Sequence, residues 1–269
     1  MATREDAVDI AVPGDGRIAG TFVSPSRLYP GVLFVHGWGG SQAQYLARAR
    51  RVSALGCVCL TFDLRGHAAG RANLASVTRA QNLDDLLAAY DRLVAHRFVD
   101  PASIALVGSS YGGYLASIAT TLRPVRWLAL RAPALYIDSG WETPKLELHR
   151  VQDLVQYRQQ RVPAAENRAL AACARFRGDA LLVESEFDDL IPHAVIASYR
   201  DALGETRSLS YRLMKGADHG LTDPVAQQAY SDVLLHWLGE MLSHGESARD
   251  PGSVPMHETV PPETPPESR

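Results

Sequence analysis

Ile104-Ala105-Leu106-Val107-Gly108-Ser109-Ser110-Tyr111-Gly112-Gly113-Tyr114 is the stretch from which the rest of the chain can be read. Four apolar residues, a length suited to a strand buried on both faces, run directly into Gly-x-Ser-x-Gly. A helical run follows from Tyr111 to about Leu122. A sharp strand-to-helix turn strains the residue at its apex and admits only small neighbours. Gly108 and Gly112 flank Ser110 at that spacing, and Ser109 lacks it. A hydroxyl at the apex stands at a helix N-terminus, where developing negative charge is favoured. A plain glycine-rich turn is the alternative, and the strand leading in and helix leading out argue for a nucleophile at Ser110.

Outward from this turn the alternation repeats. On the N-terminal side, residues 31–35 form a continuous apolar run ending in His36-Gly37-Trp38-Gly39-Gly40. Residues 42–55 read as helix, and residues 57–62 as a strand ending in Asp63-Leu64-Arg65-Gly66-His67. Residues 79–97 are the clearest helix: Leu83, Leu86, Leu87, Tyr90, Leu93 and Val94 share a face, and Thr78 and Gln81 have capping-box spacing. Residues 7–12 and 17–23, about Pro13-Gly14-Asp15-Gly16, predict an antiparallel hairpin. On the C-terminal side, residues 125–130, 180–183 and 208–213 read as strands, and residues 193–203 and 225–242 as helices. Residues 134–178 break the rhythm, and within them Leu148, Val151 and Val155 are expected on one helix face. Such repeats predict an α/β fold, a mostly parallel sheet with helices on both faces, behind a leading hairpin. Residues 245–269, rich in proline and poor in large apolar side chains, are expected to be a disordered tail.

The chain's 269 residues, 46% hydrophobic and 21% charged, suit one large α/β domain that needs no metal or disulfide staple. A net charge of -3 without single-sign blocks points away from nucleic acid and anionic membranes. No run is long enough to span a bilayer, and the N-terminus shows no signal-peptide core, so a soluble cytoplasmic protein is expected. Cys57, Cys59 and Cys173 lack metal or disulfide spacing and are expected to be reduced and buried.

A serine hydroxyl needs a base. His219, in Gly216-Ala217-Asp218-His219-Gly220, follows the last strand and precedes the last helix, at the edge of the sheet where ligand sites form. His193, after Pro192, and His236, beside Trp237, read as surface or packing residues. The base needs a carboxylate to hold its tautomer. Asp188 is the candidate, four residues before the proline that starts the next helix, with Asp189 and, more distantly, Asp138 as alternatives. Tyr111 N–H offers one oxyanion donor. The loop after residues 31–35 offers another, with Trp38 N–H preferred and Gly37 or Gly39 as substitutes. His36 then reads as structural.

Taken in order, these segments resemble the α/β-hydrolase superfamily over roughly residues 7–243, closest to its dienelactone-hydrolase-like and acyl-esterase-like branches. Ser110-Tyr111-Gly112-Gly113-Tyr114 also resembles the nucleophile turn of prolyl-oligopeptidase-type serine peptidases. The resemblance implies an α/β-hydrolase fold with an eight-stranded, mostly parallel sheet. It implies a catalytic domain over residues 1–244, in which residues 134–178 form a small cap insertion. Two features depart from the pattern: no propeller-forming stretch is expected before the catalytic part, and the nucleophile is expected to be serine where dienelactone hydrolase has cysteine. Asp63, Arg65 and His67 match a loop often seen in the superfamily and read as structural.

The expected activity is hydrolysis of small or medium carboxylic esters through Ser110, His219 and Asp188, with no metal or organic cofactor. The expected partner is a small-molecule ester. A small serine peptidase or amidase, and a non-catalytic binding protein on the same fold, are the alternatives. Tyr136, Trp141 and Tyr157 are candidates to line an acyl or alcohol pocket, or else to pack the cap onto the body. Lys145, Arg150, Arg158 and Arg161 give the cap a basic tint that reads as a solvated face.

Overall fold

Continuously buried apolar runs, whose successive side chains point to opposite faces, build a sheet with two cores. The computed structural model describes residues 3–12, 16–25 and 28–247, with side chains over residues 28–243. Strands β1 (Thr3–Val12) and β2 (Gly16–Pro25) pair antiparallel, from Thr3 opposite Pro25 to Val12 opposite Gly16. Then come β3 (Tyr29–Val35), α1 (Leu46–Ser53), β4 (Val58–Thr61), α2 (Arg79–Val94), β5 (Val99–Ser109), α3 (Tyr111–Ala119) and β6 (Trp127–Arg131). Three helices follow, α4 (Lys145–Val151), α5 (Leu154–Arg158) and α6 (Arg168–Arg175), before β7 (Asp179–Phe187), α7 (His193–Ala202), β8 (Ser208–Asp218) and α8 (Pro224–Ser247).

Strands β3 to β8 form one parallel sheet in the order β4-β3-β5-β6-β7-β8. Leu33, Val35, Leu106, Leu128, Leu130 and Leu182 face a core covered by α2, α3, α6 and α7. Their neighbours Val32, Phe34, Val107, Trp127, Ala129, Leu181 and Val183 face a second core covered by α1 and α8. This is the period-two alternation of a strand with both faces buried. The chain reverses direction across the sheet between β3 and β5, and the loops at the C-terminal ends of those strands flank a topological switch point.

The expected eight-stranded sheet is corrected by this topology: among the described residues six strands share a sheet, and β1 and β2 form a separate pair. Within that pair the two strands bond each other's facing backbone groups over ten paired positions. Nor do Leu148, Val151 and Val155 share a buried face. Leu148 is buried, whereas Val151 and Val155 are 77% and 75% exposed. Asp153 Oδ1 accepts from Gln156 N at 2.9 Å and starts a new helix, which breaks the register after Gln152. The capping box of α2 forms as its spacing predicts, with Gln81 N on Thr78 Oγ1 at 3.1 Å and Thr78 N on Gln81 Oε1 at 3.1 Å.

Within residues 134–178, α6 buries Ala169, Leu170, Ala172 and Cys173 against the sheet-covering layer. The segment before it carries the short helices α4 and α5. The tail expected from residue 245 onward lies outside the described residues beyond Ser247, and α8 runs to that residue.

Candidate active site

Strand β5 delivers Ser110 into a backbone conformation that side chains rarely take, φ 52° and ψ -119°. Of order 1–3 kcal/mol of strain is expected there, and the surroundings must hold it. Ser110 N donates to Arg131 O at 2.9 Å, and Ser110 O accepts from Tyr114 N at 3.1 Å and Ala134 N at 3.0 Å. The flanking glycines are required by contact. A Cβ on Gly108 would lie 2.6 Å from Gly112 O, and one on Gly112 would strike the Val35 and His36 carbonyls. The turn is therefore clamped between the end of β3 and its own helix.

The register of β7 and β8 brings the other two groups together. Phe187 pairs with Asp218, so Asp188 and His219 leave the sheet side by side. His219 Nδ1 lies 2.7 Å from Asp188 Oδ2, and His219 Nε2 lies 3.0 Å from Ser110 Oγ. With the carboxylate accepting the proton on Nδ1, Nε2 presents a lone pair to the Ser110 hydroxyl. The other Asp188 oxygen accepts from Leu190 N at 3.0 Å and Ile191 N at 2.8 Å, and the side chain is only 3% exposed. Asp189 is exposed. Asp138 accepts from Arg168 N at 2.7 Å and pairs with its guanidinium, away from His219. His193 and His236 lie on the surface, paired with Glu184 and Glu240.

Across from Ser110 runs the loop after β3. Gly37 passes close enough that an added Cβ would sit 3.4 Å from Ser110 Cβ. His36 braces this loop: Nδ1 donates to Gly37 O at 2.8 Å and Nε2 accepts from Leu64 N at 3.0 Å. That pattern requires a neutral ring, and burial lowers its pKa accordingly. His67, also lowered by burial, packs edge-on against His36 and Trp38. Asp63 accepts from Gln42 N at 2.7 Å, and Arg65 pairs with Asp85, so these two tie loop to helix. Trp38 packs edge-on against Tyr111, with ring centres 5.3 Å apart.

A cleft of about 350 Å³ opens on Ser110 and His219, walled by the Gly37–Gly40 backbone and by Gln44, Arg48, Arg131 and Gln227. Tyr136, Trp141 and Tyr157 do not line it. Tyr136 is buried edge-on against Tyr111 and Tyr114, Trp141 lies under the Arg79 and Arg168 guanidiniums, and the Tyr157 hydroxyl accepts from Asn167 Nδ2 at 3.2 Å. Lys145, grouped with the solvated basic residues by sequence, is buried, its Nζ 3.9 Å from the centre of the Trp38 ring. Its amine contacts His149 Nε2 at 2.9 Å, and burial pushes its pKa down to about 6. Sequence reasoning passed over Arg48 and Arg131. The usable signal for Arg131 was a cation ending the apolar run Trp127–Leu130, at the same sheet edge as Ser110.

Among the described residues no group of three or more His, Cys, Asp or Glu side chains is placed to hold a metal ion. Cys57, Cys59 and Cys173 are free thiols, each pushed up to about 12 by burial. No helix among the described residues is long and apolar enough to cross a membrane.

A family model described as the prolyl oligopeptidase family matches residues 41–245. No curated protein matches the sequence. Among solved structures, one from a pair of metagenome-derived lipolytic enzymes, LipS and LipT, is similar at a TM-score of 0.62 and 17% identity, over 80% of this chain and 96% of that one. A dienelactone hydrolase from Anabaena variabilis is similar at 0.56 and 21% identity, over 87% and 96%. A puromycin-hydrolyzing peptidase from Mycobacterium tuberculosis is similar at 0.60 and 19% identity, over 88% of this chain and 40% of that one. These likenesses, with six parallel strands between two helical layers, show the α/β-hydrolase fold.

Proposed function

The chain belongs to the prolyl oligopeptidase family, and from that premise we propose that it is a serine hydrolase cleaving small or medium carboxylic esters. The observation that carries this reading is the unbroken contact line from Asp188 through His219 to Ser110 Oγ, ending on a strained serine that opens into a cleft.

Ser110 Oγ attacks the acyl carbon while its proton passes to His219 Nε2, and the carbonyl electron pair moves onto oxygen. Backbone N–H groups of Tyr111 and Trp38 are the proposed donors to that oxyanion, since Tyr111 begins α3 and Trp38 follows the glycine that passes against Ser110. The tetrahedral species collapses, the bond to the leaving alcohol breaks, and Nε2–H protonates the departing oxygen. Water then gives a proton to Nε2, attacks the acyl-enzyme, and releases the acid and Ser110. Asp188 accepts from Nδ1, holds the imidazole in the required tautomer and stabilises the imidazolium that forms. The cleft volume is near the lower bound for small-molecule sites, which supports a small acyl group over a long chain.

Fluorophosphonate labelling tests the reading. The wild type is labelled and hydrolyses 4-nitrophenyl esters, whereas Ser110→Ala loses the label and at least about a thousandfold in kcat. Labelling that persists in Ser110→Ala would overturn the assignment. The family match favours a second reading, a small peptidase or amidase. Comparing kcat/KM for 4-nitrophenyl esters and aminoacyl 4-nitroanilides separates the two, and the ester is expected to win. Faster anilide cleavage would establish the second reading instead.

A further inference from the structure

Among the described residues that line the cleft at Ser110 are two arginines and no carboxylate. Arg131 ends β6, is 7% exposed, and donates from Nη1 to His219 O at 2.9 Å and from Nε to Ser109 Oγ at 3.4 Å. Arg48, on α1, donates from Nε to Ser231 Oγ at 3.0 Å and from Nη1 to Gln44 O at 3.4 Å. Their central carbons lie 5.8 and 4.9 Å from the centre of one ring, Tyr230. Every one of these partners is neutral. Among the described residues neither guanidinium has a carboxylate partner, and neither Nη2 donates to any group.

Lack of an acid is not peculiar to these two, since Arg79 is 1% exposed and donates to the Ile137 and Ser139 carbonyls; what sets Arg48 and Arg131 apart is that both line the cleft at Ser110. Arg51, one turn along α1 from Arg48, pairs with Asp232, and Arg65, Arg123, Arg161, Arg168 and Arg207 each have their own acid. A buried guanidinium left without an anion, as Arg131 is, is costly, and Arg48 beside it is partly buried. The two beside a candidate nucleophile leave fixed, planar donors for an anion brought by the substrate.

We propose that Arg48 and Arg131 form a carboxylate-binding subsite, so that the preferred substrates are esters carrying a free carboxylate near the scissile bond. This rests on the serine hydrolase reading and adds a substrate class to it. The acid is a passive handle: its charge is held by the two guanidiniums while the ester carbonyl meets Ser110, and no bond to it changes. Arg131 also anchors the His219 carbonyl, so seating the anion orders the wall that carries the base.

The test compares matched esters. Mono-4-nitrophenyl glutarate against 4-nitrophenyl valerate places the carboxylate on the acyl side. 4-Carboxyphenyl acetate against 4-methylphenyl acetate places it on the leaving side. In at least one pair the charged-to-neutral ratio of kcat/KM is expected to fall about tenfold from wild type to Arg48→Gln and to recover in part in Arg48→Lys. The wild-type KM for the charged ester of that pair rises with salt, an effect that lost packing alone would not produce. A fall of less than threefold in both pairs, with neutral esters still hydrolysed, overturns the subsite and leaves the hydrolase reading standing. Absence of both neutral-ester turnover and fluorophosphonate labelling at Ser110 overturns the hydrolase reading, and the subsite with it.

Discussion

Asp188 and Asp189 are neighbours in sequence with opposite surroundings, and that contrast is a test at the scale of one residue. Asp188 spends one oxygen on His219 and the other on two backbone amides, while Asp189 is exposed to solvent. Asp188→Asn keeps the shape but puts an amide where the imidazole needs an acceptor, so the wrong tautomer of His219 is favoured. We expect kcat for 4-nitrophenyl esters to drop at least about a hundredfold in Asp188→Asn and to change less than about twofold in Asp189→Asn. Equal losses in the two variants, measured by steady-state kinetics, would remove Asp188 from its role. Ser110, His219 and Asp188 were legible in the sequence because each carries a local signature, glycines about the serine and a loop after a strand for the other two. Its distance from Pro192 put Asp188 ahead of Asp189, but the contact with His219 comes from the β7–β8 register, which no local pattern encodes. Arg48 and Arg131 were illegible for the same reason: they meet at Tyr230 only after α1, β6 and α8 have assembled.

At the scale of elements, the strands that bury both faces were readable because a parallel sheet demands continuous apolar runs, and residues 31–35 and 104–107 supply them. The segment after β6 was not, because its apolar residues fit a single helix by spacing alone. Asp153 breaks that helix, and Val151 and Val155 turn to solvent while Leu148 stays buried. Burial, rather than hydrophobicity, then sets the cost of substitution. Leu148→Ala should cost about 2–4 kcal/mol, read as a shift in the urea midpoint with unchanged slope. Val151→Ser and Val155→Ser should stay within about 0.5 kcal/mol of the wild type. A Val155→Ser loss as large as that of Leu148→Ala would mean that α4 and α5 are one continuous buried helix.

For the molecule as a whole, the most consequential buried charge is Lys145, where the segment after β6 docks on the body. Lys145 N donates to Val77 O at 2.9 Å, and Nζ sits among the rings of Trp38, Tyr111 and Tyr136, which belong to three separate parts of the chain. Ring faces favour a cation, but among the described residues no carboxylate replaces the water it has lost. Burial first, then Arg158 and Arg79, lower its pKa from 10.5 to about 6. The unfolded chain therefore keeps a proton on Lys145 up to its ordinary pKa, whereas the folded chain sheds it above about pH 6. Between those values the unfolded state binds one more proton, so this group makes stability rise with pH across that window and adds no slope below it. Lys145→Met keeps the length and removes the ionisation. At pH 7 the variant should be more stable than wild type by at least about 1 kcal/mol, with the gap narrowing as pH approaches 10. Urea midpoints at pH 6, 7, 8 and 9.5 measure both curves. A gap that stays constant over that range would show that Lys145 keeps its proton in the folded protein. The ammonium would then be held by the three aromatic faces, and the join between the segment after β6 and the sheet would rest on a cation rather than a neutral amine.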